Sequence, residues 1–326
     1  MPIDLEVLSF TEMIQLQTQL GEVLKRRFGK ALCLCFTDVV GSTPYFARFG
    51  DAAGRGLQQR HVDLLRASLP LGQGRIVDTA GDGAFAVFAD VEGAVSSLIQ
   101  FERQLSLQNA TYAREHQLLI RAGLNFGQVL TDGEAVSGDA VNLAARVSGS
   151  AQSGEIRITD SAFRELAPQR RLLCRGLGQV ELKGISAPVA LLALRWRDES
   201  RFPARLRVMQ TGEELAIPPM DTISFGRLGD HGGVQANDIV LSMPDREKGL
   251  RVSRWHFELR RQPEGFLLRS MTDQSTEVDG VQVHRGQDVA LRPDSKVVLA
   301  GVMTLEFLPE KPGPVDDAAL TTGLRA

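Results

Sequence analysis

Apolar and polar positions alternate along residues 31–196 in segments that predict strands and helices in turn. The run ALCLCFTDVV from Ala31 is mostly apolar and indicates a buried strand, and residues 75–88 predict a hairpin. Helical spacings of apolar residues follow from about Val91 to Arg103 and again within residues 140–149. This alternation predicts an α+β domain in which helices cover a sheet.

The pattern changes after Trp196. The charged stretch RDESRFPAR interrupts it, and from about Leu206 to Leu308 short alternating strands are separated by Gly, Pro and Asp clusters, as in a β-sandwich. We therefore expect five segments: an N-terminal helix over 1–30, the α+β domain over 31–197, a linker over 198–205, the sandwich over 206–309 and a tail over 310–326 that does not pack.

The N-terminal segment carries a short apolar stripe at helical spacing, formed by Met13, Leu16, Leu20 and Val23. Such a stripe needs a partner surface. Two interpretations stay open: the helix packs on its own domain, or it forms a seam with a second chain.

Composition limits the classes of function. With 326 residues and 43% hydrophobic content the chain is long enough for two cores, and a net charge of -3 gives no broad surface for nucleic acid or for an anionic membrane. No apolar run approaches a membrane span, and the first residues lack a basic stretch followed by an apolar one, so we expect a cytoplasmic protein with no membrane insertion. Cys33 and Cys35 alternate within an apolar strand, as buried thiols do.

Two carboxylates occupy positions where a strand meets a turn. Asp38 ends the first apolar run, and Asp82 precedes Gly83 at the tip of the predicted hairpin. Neighbouring strand ends bring such residues to one edge of a sheet, and carboxylate oxygens are ligands that suit Mg²⁺.

Four ordered blocks, FTDVVGST, IVDTAGDGAFAVF, GDAVNLAARV and ELKGI, resemble the successive motifs of class III adenylate and guanylate cyclases over about residues 31–196. The resemblance implies a ferredoxin-like sheet covered by helices. It also implies the conversion of GTP or ATP into a 3′,5′-cyclic nucleotide and pyrophosphate. In that case Asp38 and Asp82 bind two ions of Mg²⁺ or Mn²⁺, which activate the ribose hydroxyl and hold the phosphates.

The same resemblance assigns three further residues. Asn142 and Arg146 match the pair that orients the ribose and neutralises the transferring phosphoryl group, and they share one helix face because they are four residues apart. Lys183 matches the lysine that holds the terminal phosphates. Active sites of this family form between two cyclase domains, so a chain with one complete set implies a homodimer with two equivalent sites.

The residues that select the base depart from the common adenylate pattern. Asp78 occupies a position where adenylate cyclases usually have Lys and guanylate cyclases usually have Glu. Its carboxylate accepts from the N1–H and amine of guanine, whereas it faces a lone pair on adenine N1. The second position is Ala135, or Glu134 if the alignment shifts by one residue. Asp78 favours GTP, and ATP stays open.

The blocks ISFGR, NDIVL, VSRWHFEL and STEVDGVQV resemble forkhead-associated (FHA) domains, which are all-β sandwiches with phosphothreonine-binding loops. Arg227, Ser253 and Arg254 match the phosphate contacts, Gln274 stands where the family often has Asn, and His256 matches a histidine that braces the loop.

The implied partner is a phosphothreonine protein, or the chain's own phosphorylated tail, which contains Thr321 and Thr322. Asp279 stands in place of the Asn of a later Asn-Gly pair. Its carboxylate adds a negative charge near a site for an anion, which disfavours the binding of a phosphopeptide.

Two hypotheses about the whole chain follow. It is an active cyclase regulated or localised by its FHA domain, or it is a catalytically inactive adaptor that uses a cyclase fold to dimerise and signals through phosphopeptides. Degenerate cyclase domains lose a metal Asp or the transition-state Arg, whereas this chain has both, which favours the enzyme.

Overall fold

Strands and helices alternate through the first of two structural units. In the computed structural model, which describes Glu6 and residues 8–309, this unit holds the described residues up to Leu105 and Glu115–Trp196. The helices that begin in it are α1 Phe10–Phe28, α2 Ser42–Ser68, α3 Val91–Asn109, α4 Asp139–Ser150, α5 Asp160–Glu165 and α6 Pro168–Arg171. Its strands are β1 Gly29–Val39, β2 Arg75–Ala80, β3 Gly83–Phe88, β4 Ile120–Thr131, β5 Val136–Ser137, β6 Ile156–Thr159, β7 Cys174–Val180 and β8 Val189–Leu194.

The sheet has the order β2-β3-β1-β4-β6-β8-β7, with β5 paired to β4. In its first four strands each pair of neighbours is antiparallel, and α2 and α3 supply the crossovers in the chain order β1-α2-β2-β3-α3-β4. This is the ferredoxin-like arrangement, so the predicted α+β class is confirmed.

Strand β1 is buried on both faces, which explains its nearly continuous apolar sequence. Cys33 and Cys35 enter the core formed with α2 and α3, while Leu34 and Phe36 enter a second cluster formed with α4. The alternation along β1 therefore places Thr37 on the α2 and α3 side and Asp38 on the α4 side.

Helix α1 begins with a capping box in which the Ser9 side chain accepts from the Glu12 N–H and the Glu12 carboxylate accepts from the Ser9 N–H. None of its residues is buried. Of the predicted stripe, Leu16 and Val23 are half-buried, and Met13 and Leu20 are exposed. No helix among the described residues is long and apolar enough to cross a membrane.

The second unit is a β-sandwich and contains Ser106–Arg114 together with the described residues from Arg197 onward. One sheet has the order β10-β9-β21-β20-β17-β18 and the other β14-β11-β15-β16-β19. The strands are β9 Arg205–Val208, β10 Glu214–Ala216, β11 Thr222–Gly226, β12 Asp230–His231, β13 Val234–Gln235, β14 Ile239–Val240, β15 Phe257–Gln262, β16 Gly265–Ser270, β17 Thr276–Val278, β18 Val281–Gln282, β19 Asp288–Leu291, β20 Lys296–Leu299 and β21 Met303–Leu308, with one short helix, α7 Arg246–Arg251.

Alternating residues of both sheets fill a single core between them, in which Phe225, Phe257 and Phe307 are fully buried. The rings of Phe225 and Phe257 stack 4.3 Å apart. The all-β sandwich predicted for the C-terminal region is confirmed.

Local differences from the sequence pattern occur near Trp196 and before β8. The expected strand QVELKG ends at Val180, and Lys183 lies in the following turn, where the Leu182 carbonyl accepts from the Ile185 N–H. Within the segment expected as a linker, residues 199–201 form a 3₁₀ turn, and Phe202 is buried in the sandwich core. The tail over 310–326 lies outside the described residues.

Candidate functional site

Asp38 and Asp82 meet where β1 and the β2–β3 hairpin end. Asp38 pairs with Gly83 in the register between β1 and β3, and the Val39 N–H donates to the Asp82 carbonyl at 3.3 Å. The structure thus brings together the two carboxylates that the sequence places at strand ends.

The Asp82 carboxylate affects the titration of Asp38. Burial raises the pKa of Asp38, and the neighbouring Asp82 carboxylate raises it further, while the Arg121 guanidinium opposes both effects. Two adjacent carboxylates are a costly arrangement unless a cation compensates them. The pair therefore has the charge and the hard oxygen atoms that a divalent cation requires.

Arg121 was missed at the sequence level. It stands opposite Asp38 in the register between β1 and β4, and its Nε donates to Asp38 Oδ2 at 2.9 Å. Its Nη1 donates to the Gly149 carbonyl of α4 at 3.2 Å. The available signal was a single charged residue inside the apolar strand LLIRAGLNFG.

Ser42 is a second residue that sequence reasoning did not identify. It is the first residue of α2, directly after Gly41, whose φ of 75° a residue with a side chain rarely adopts. The Ser42 hydroxyl donates to the Asp82 carboxylate. Among the described residues no group of three or more His, Cys, Asp or Glu could hold a metal, so an ion at Asp38 and Asp82 would need water or substrate oxygens as further ligands.

A β-bulge determines where Asp78 points. Ile76 pairs with Ala86 and Asp78 pairs with Phe85, which leaves Val77 as the extra residue. Directly paired residues project to the same face, so Asp78 shares the face of Phe85. Asp38 lies on this face too, because Phe85 also pairs with Phe36, two residues before it. The side chain of Asp78 is exposed.

Ala135, the second predicted base-selecting position, lies in a turn. The Oδ1 atom of Asp132 accepts from the N–H groups of Glu134 and Ala135, each at 2.9 Å. The Glu134 N–H is the main cause that lowers the pKa of Asp132. Glu134 and Ala135 are both exposed, so the two alternatives occupy the same turn.

Asn142 and Arg146 lie one turn apart on the exposed face of α4, whose other face buries Ala144 and Val147. The helix backbone approaches Gly123 of β4 so closely that a Cβ there would lie 2.2 Å from the Ser148 nitrogen. This contact fixes α4 on the sheet while its two polar residues face outward.

Lys183 is exposed as well. Across the described part of the chain, Asn142, Arg146 and Lys183 make no side-chain hydrogen bond or ion pair. Their charge and hydrogen-bonding groups are therefore available to a ligand or to another chain.

In the second unit, backbone contacts join Arg227 to the loop that contains Ser253 and Arg254. The Arg227 N–H donates to the Ser253 carbonyl at 3.0 Å. Gly226 allows this approach, because a Cβ there would lie 2.0 Å from the Arg254 carbonyl oxygen. Arg227 is half-buried, its Nε lacks a hydrogen bond among the described residues, and Arg254 is exposed. Three predicted phosphate contacts thus occupy neighbouring loops.

Thr272 connects this loop to Gln274. Its hydroxyl lies 2.6 Å from the Ser253 hydroxyl and accepts from the Gln274 N–H at 3.2 Å. The Gln274 side chain is exposed. The four residues predicted to bind a phosphopeptide are therefore brought together, and Thr272, which sequence reasoning missed, links them.

His256 is fully buried beneath these loops. Its Nδ1 accepts from the Ser253 N–H at 3.1 Å, and its Nε2 lies 3.2 Å from the Thr276 hydroxyl. Burial lowers the pKa of His256 to about 4. The imidazole is therefore neutral at pH 7 and connects the Ser253 loop to β17.

Asp279 is engaged elsewhere. It has a φ of 51° in the turn with Gly280 that joins β17 to β18. Its carboxylate accepts from the Ser295 hydroxyl at 2.9 Å and from the Lys296 N–H at 2.8 Å. These contacts direct its charge toward the beginning of β20.

Comparison with known proteins identifies two matching family models along the chain. The adenylate and guanylate cyclase catalytic domain model covers residues 24–193, and the FHA domain model covers residues 223–300.

The individual relatives share only limited sequence identity with this chain. The chain is 24% identical over 208 residues to "Putative adenylate cyclase 3" of Rhizobium meliloti, covering 62% of this chain and 35% of that protein. It is 32% identical over 128 residues to an uncharacterized Mycobacterium tuberculosis protein, covering 39% and 32%. The chain thus spans about a third of the length of these relatives.

Among solved structures, the guanylate cyclase domain of RhGC from Catenaria anguillulae in complex with GTP is similar, with a TM-score of 0.44 and 20% identity. The match covers 52% of this chain and 98% of that one.

We expect the sandwich to lose stability in mild acid because of His256. In the unfolded chain an imidazole takes up a proton near pH 6.5. In the folded chain its pKa is about 4. The folded state binds fewer protons between these values, so its free energy of unfolding falls as pH drops through this window, by about 2 kcal/mol between pH 7 and pH 5.

Hydrogen exchange of the β15 and β16 amides measures this loss. The variant His256→Gln should show a flatter pH dependence, whereas His284→Gln, which removes an exposed imidazole, should behave like the natural chain. An equal dependence in His256→Gln would contradict the assignment.

Proposed function

The chain belongs to the adenylate and guanylate cyclase catalytic domain family, and on this premise we propose that it converts GTP, in preference to ATP, into the 3′,5′-cyclic nucleotide and pyrophosphate. The reaction takes place at two equivalent sites of a homodimer. The observation that carries the proposal is the crowded pair Asp38 and Asp82 together with three exposed side chains that have no polar partner among the described residues, those of Asn142, Arg146 and Lys183.

Asp38 and Asp82 would hold two ions of Mg²⁺ or Mn²⁺. When bound, these ions lower the pKa of the ribose 3′-hydroxyl and neutralise phosphate oxygens. The crowding of the two carboxylates supports this role, because a cation between them offsets their repulsion. Ser42 holds Asp82, and Arg121 balances the charge of Asp38.

Cyclisation forms a bond between the ribose O3′ and the α-phosphorus, breaks the bond from that phosphorus to the bridging oxygen of pyrophosphate, and releases the proton of the 3′-hydroxyl to solvent. Arg146 would donate to the α-phosphoryl oxygens, where negative charge is concentrated in the transition state. Asn142, one helical turn away, would orient the ribose. Lys183 would bind the terminal phosphates that leave as pyrophosphate.

The way these groups are divided supports the proposed dimer. The carboxylates are held by contacts within one chain, whereas Asn142, Arg146 and Lys183 have no side-chain partner in the described part of it. A two-fold dimer supplies each exposed set with the carboxylate pair of the opposite chain.

The second unit is proposed to bind phosphothreonine and to regulate or localise the cyclase. The phosphate would meet the forked guanidinium groups of Arg227 and Arg254 and the Ser253 hydroxyl. His256 and Thr272 hold the loops beneath them. The negative charge of Asp279 is one argument against an anion at this site. The hydrogen bonds of its carboxylate to Ser295 and Lys296 at the start of β20 weaken that argument.

We predict that the purified chain with Mg²⁺ or Mn²⁺ forms cyclic GMP faster than cyclic AMP. The substitution Asp78→Lys should move the ratio of the two products at least about tenfold toward cyclic AMP, because an ammonium donates to adenine N1 and opposes the N1–H of guanine. Product identification by mass spectrometry measures both rates.

The control for this prediction is Asp51→Lys, which makes the same change of charge at an exposed carboxylate of α2. If the natural chain preferred ATP and Asp78→Lys left that preference unchanged, residue 78 would not select the base. Absence of any cyclic product, with the fold intact, would favour the inactive adaptor.

We predict recovery of activity when two inactive variants are mixed. Asp38→Ala and Arg146→Ala damage opposite halves of a shared site, so each heterodimer contains one intact site. An equal mixture that exchanges freely is half heterodimer, which gives about a quarter of the natural activity. The matched control mixes Asp38→Ala with Asp82→Ala, which damage the same half and should give no recovery. If both mixtures were inactive although subunit exchange had been demonstrated, the shared site would be excluded.

We predict that the full chain binds a phosphothreonine peptide at least about tenfold more tightly than the Arg227→Ala variant, because a hydrogen bond to a charged phosphate contributes about 1.5–3 kcal/mol. Fluorescence anisotropy with a phosphorylated peptide library and its unphosphorylated counterpart provides the measurement. Arg207→Ala is the control, because Arg207 pairs with Glu214 and Glu306 on the other sheet. Binding that ignores the phosphate would leave this unit a general interaction module.

A further inference from the structure

His61 is a buried polar residue on a mostly apolar helix face. It lies in α2 after the non-helical Gly50, with Leu57 one turn before it and Leu65 one turn after it. All three residues are buried, and His61 has no exposed surface. A polar group in such a position requires hydrogen-bond partners.

One partner is Thr37. The Nε2 atom of His61 lies 2.8 Å from the Thr37 hydroxyl, and Thr37 is itself buried. Thr37 directly precedes Asp38 in β1, and the two side chains project to opposite faces of the sheet. The contact therefore holds the strand immediately behind the Asp38 carboxylate.

The other ring nitrogen, Nδ1, is buried and lacks a hydrogen bond of ordinary geometry among the described residues. The backbone carbonyl and the side chain of Asp82 are electrostatic neighbours of the imidazole. The same carbonyl accepts from the Val39 N–H at 3.3 Å, so it joins β1 to the hairpin tip.

A neutral imidazole has one donor and one acceptor nitrogen. If Nδ1 carries the proton, the ring donates toward the Asp82 carbonyl and accepts from the Thr37 hydroxyl. This tautomer uses both nitrogens.

We propose that His61 is a positioning residue for the divalent-cation site, because it fixes β1 behind Asp38 and the hairpin behind Asp82 at one separation. The inference rests on the proposed binding of metal by these two carboxylates. The alternative is a histidine that only fills the core between α2 and the sheet, in which case its loss would affect stability and leave the affinity for metal unchanged.

The experiment measures Mn²⁺ binding by the full chain without nucleotide, from the electron paramagnetic resonance signal of the free ion. His61→Leu should weaken binding about 10- to 100-fold, as the loss of groups that orient metal ligands commonly does. Thr37→Val should weaken it in the same direction, and the double variant should add little, because both remove one linked arrangement. Far-ultraviolet circular dichroism confirms that each chain is folded.

Leu57→Ala and Leu65→Ala are the matched controls. They open cavities on the same helix face and should lower the melting temperature, yet keep the natural affinity for Mn²⁺. Should His61→Leu fail to fold, Thr37→Val and His61→Gln carry the test, since the glutamine amide retains one polar contact and should give an intermediate affinity.

Natural Mn²⁺ affinity in folded His61→Leu, beside lost binding in Asp38→Asn, would overturn the proposal and leave the metal site intact. Equal weakening in Leu65→Ala would also overturn it, because general damage to the core would then explain the result. If the natural chain itself failed to bind Mn²⁺, the metal site of the proposed function would fall together with this inference.

Discussion

The pairing of β1 with β3 on one side and β4 on the other is the constraint on which the candidate cyclase site depends. One ladder sets Asp38 beside the hairpin tip that carries Asp82, and the other sets it opposite Arg121. A slip of one residue in either ladder would turn side chains to the opposite face. Both faces of β1 pack against helices, so such a slip would exchange the residues of the two cores and turn the Asp38 carboxylate into the core formed with α2 and α3. The packing of the sheet thus fixes the geometry of the charges.

Both units contain the same kind of contact, in which a buried histidine lies beside a threonine hydroxyl. In each, a fully buried histidine lies within hydrogen-bonding distance of a threonine hydroxyl: His61 with Thr37 in the first unit, and His256 with Thr276 in the second. Burial lowers both pKa values to about 4, so both rings are neutral. A neutral imidazole joins two backbone segments without adding charge near a binding surface. The charged groups remain free to meet a ligand.

Sequence reasoning predicted the fold class because strands and helices alternate at short range. It placed Asp38 and Asp82 at one sheet edge because each lies where a strand meets a turn, and the resemblance to class III cyclases assigned them to metal. It missed Arg121, because the contact with Asp38 depends on a register between residues 83 positions apart. The strand expected to include Lys183 ends at Val180, since the buried Leu182 and the turn after it determine the local backbone. Sequence reasoning also missed the bulge at Val77, because only the pairing of β2 with β3 reveals that β2 has an extra residue.

That bulge makes the length of β2 as important as its composition. With Val77 as an unpaired extra residue, every side chain on its Arg75 side is displaced by one step relative to an unbroken ladder. Removal of one residue beside it would transfer the neighbouring positions to the other face, although no residue near the carboxylates had changed its identity. A single-residue deletion in this strand therefore changes which face its side chains occupy, whereas a substitution changes only one side chain. If Asp78 selects the base, as proposed above, a change in the number of residues in β2 would alter which base the cyclase accepts, and a residue-by-residue comparison of relatives would overlook it.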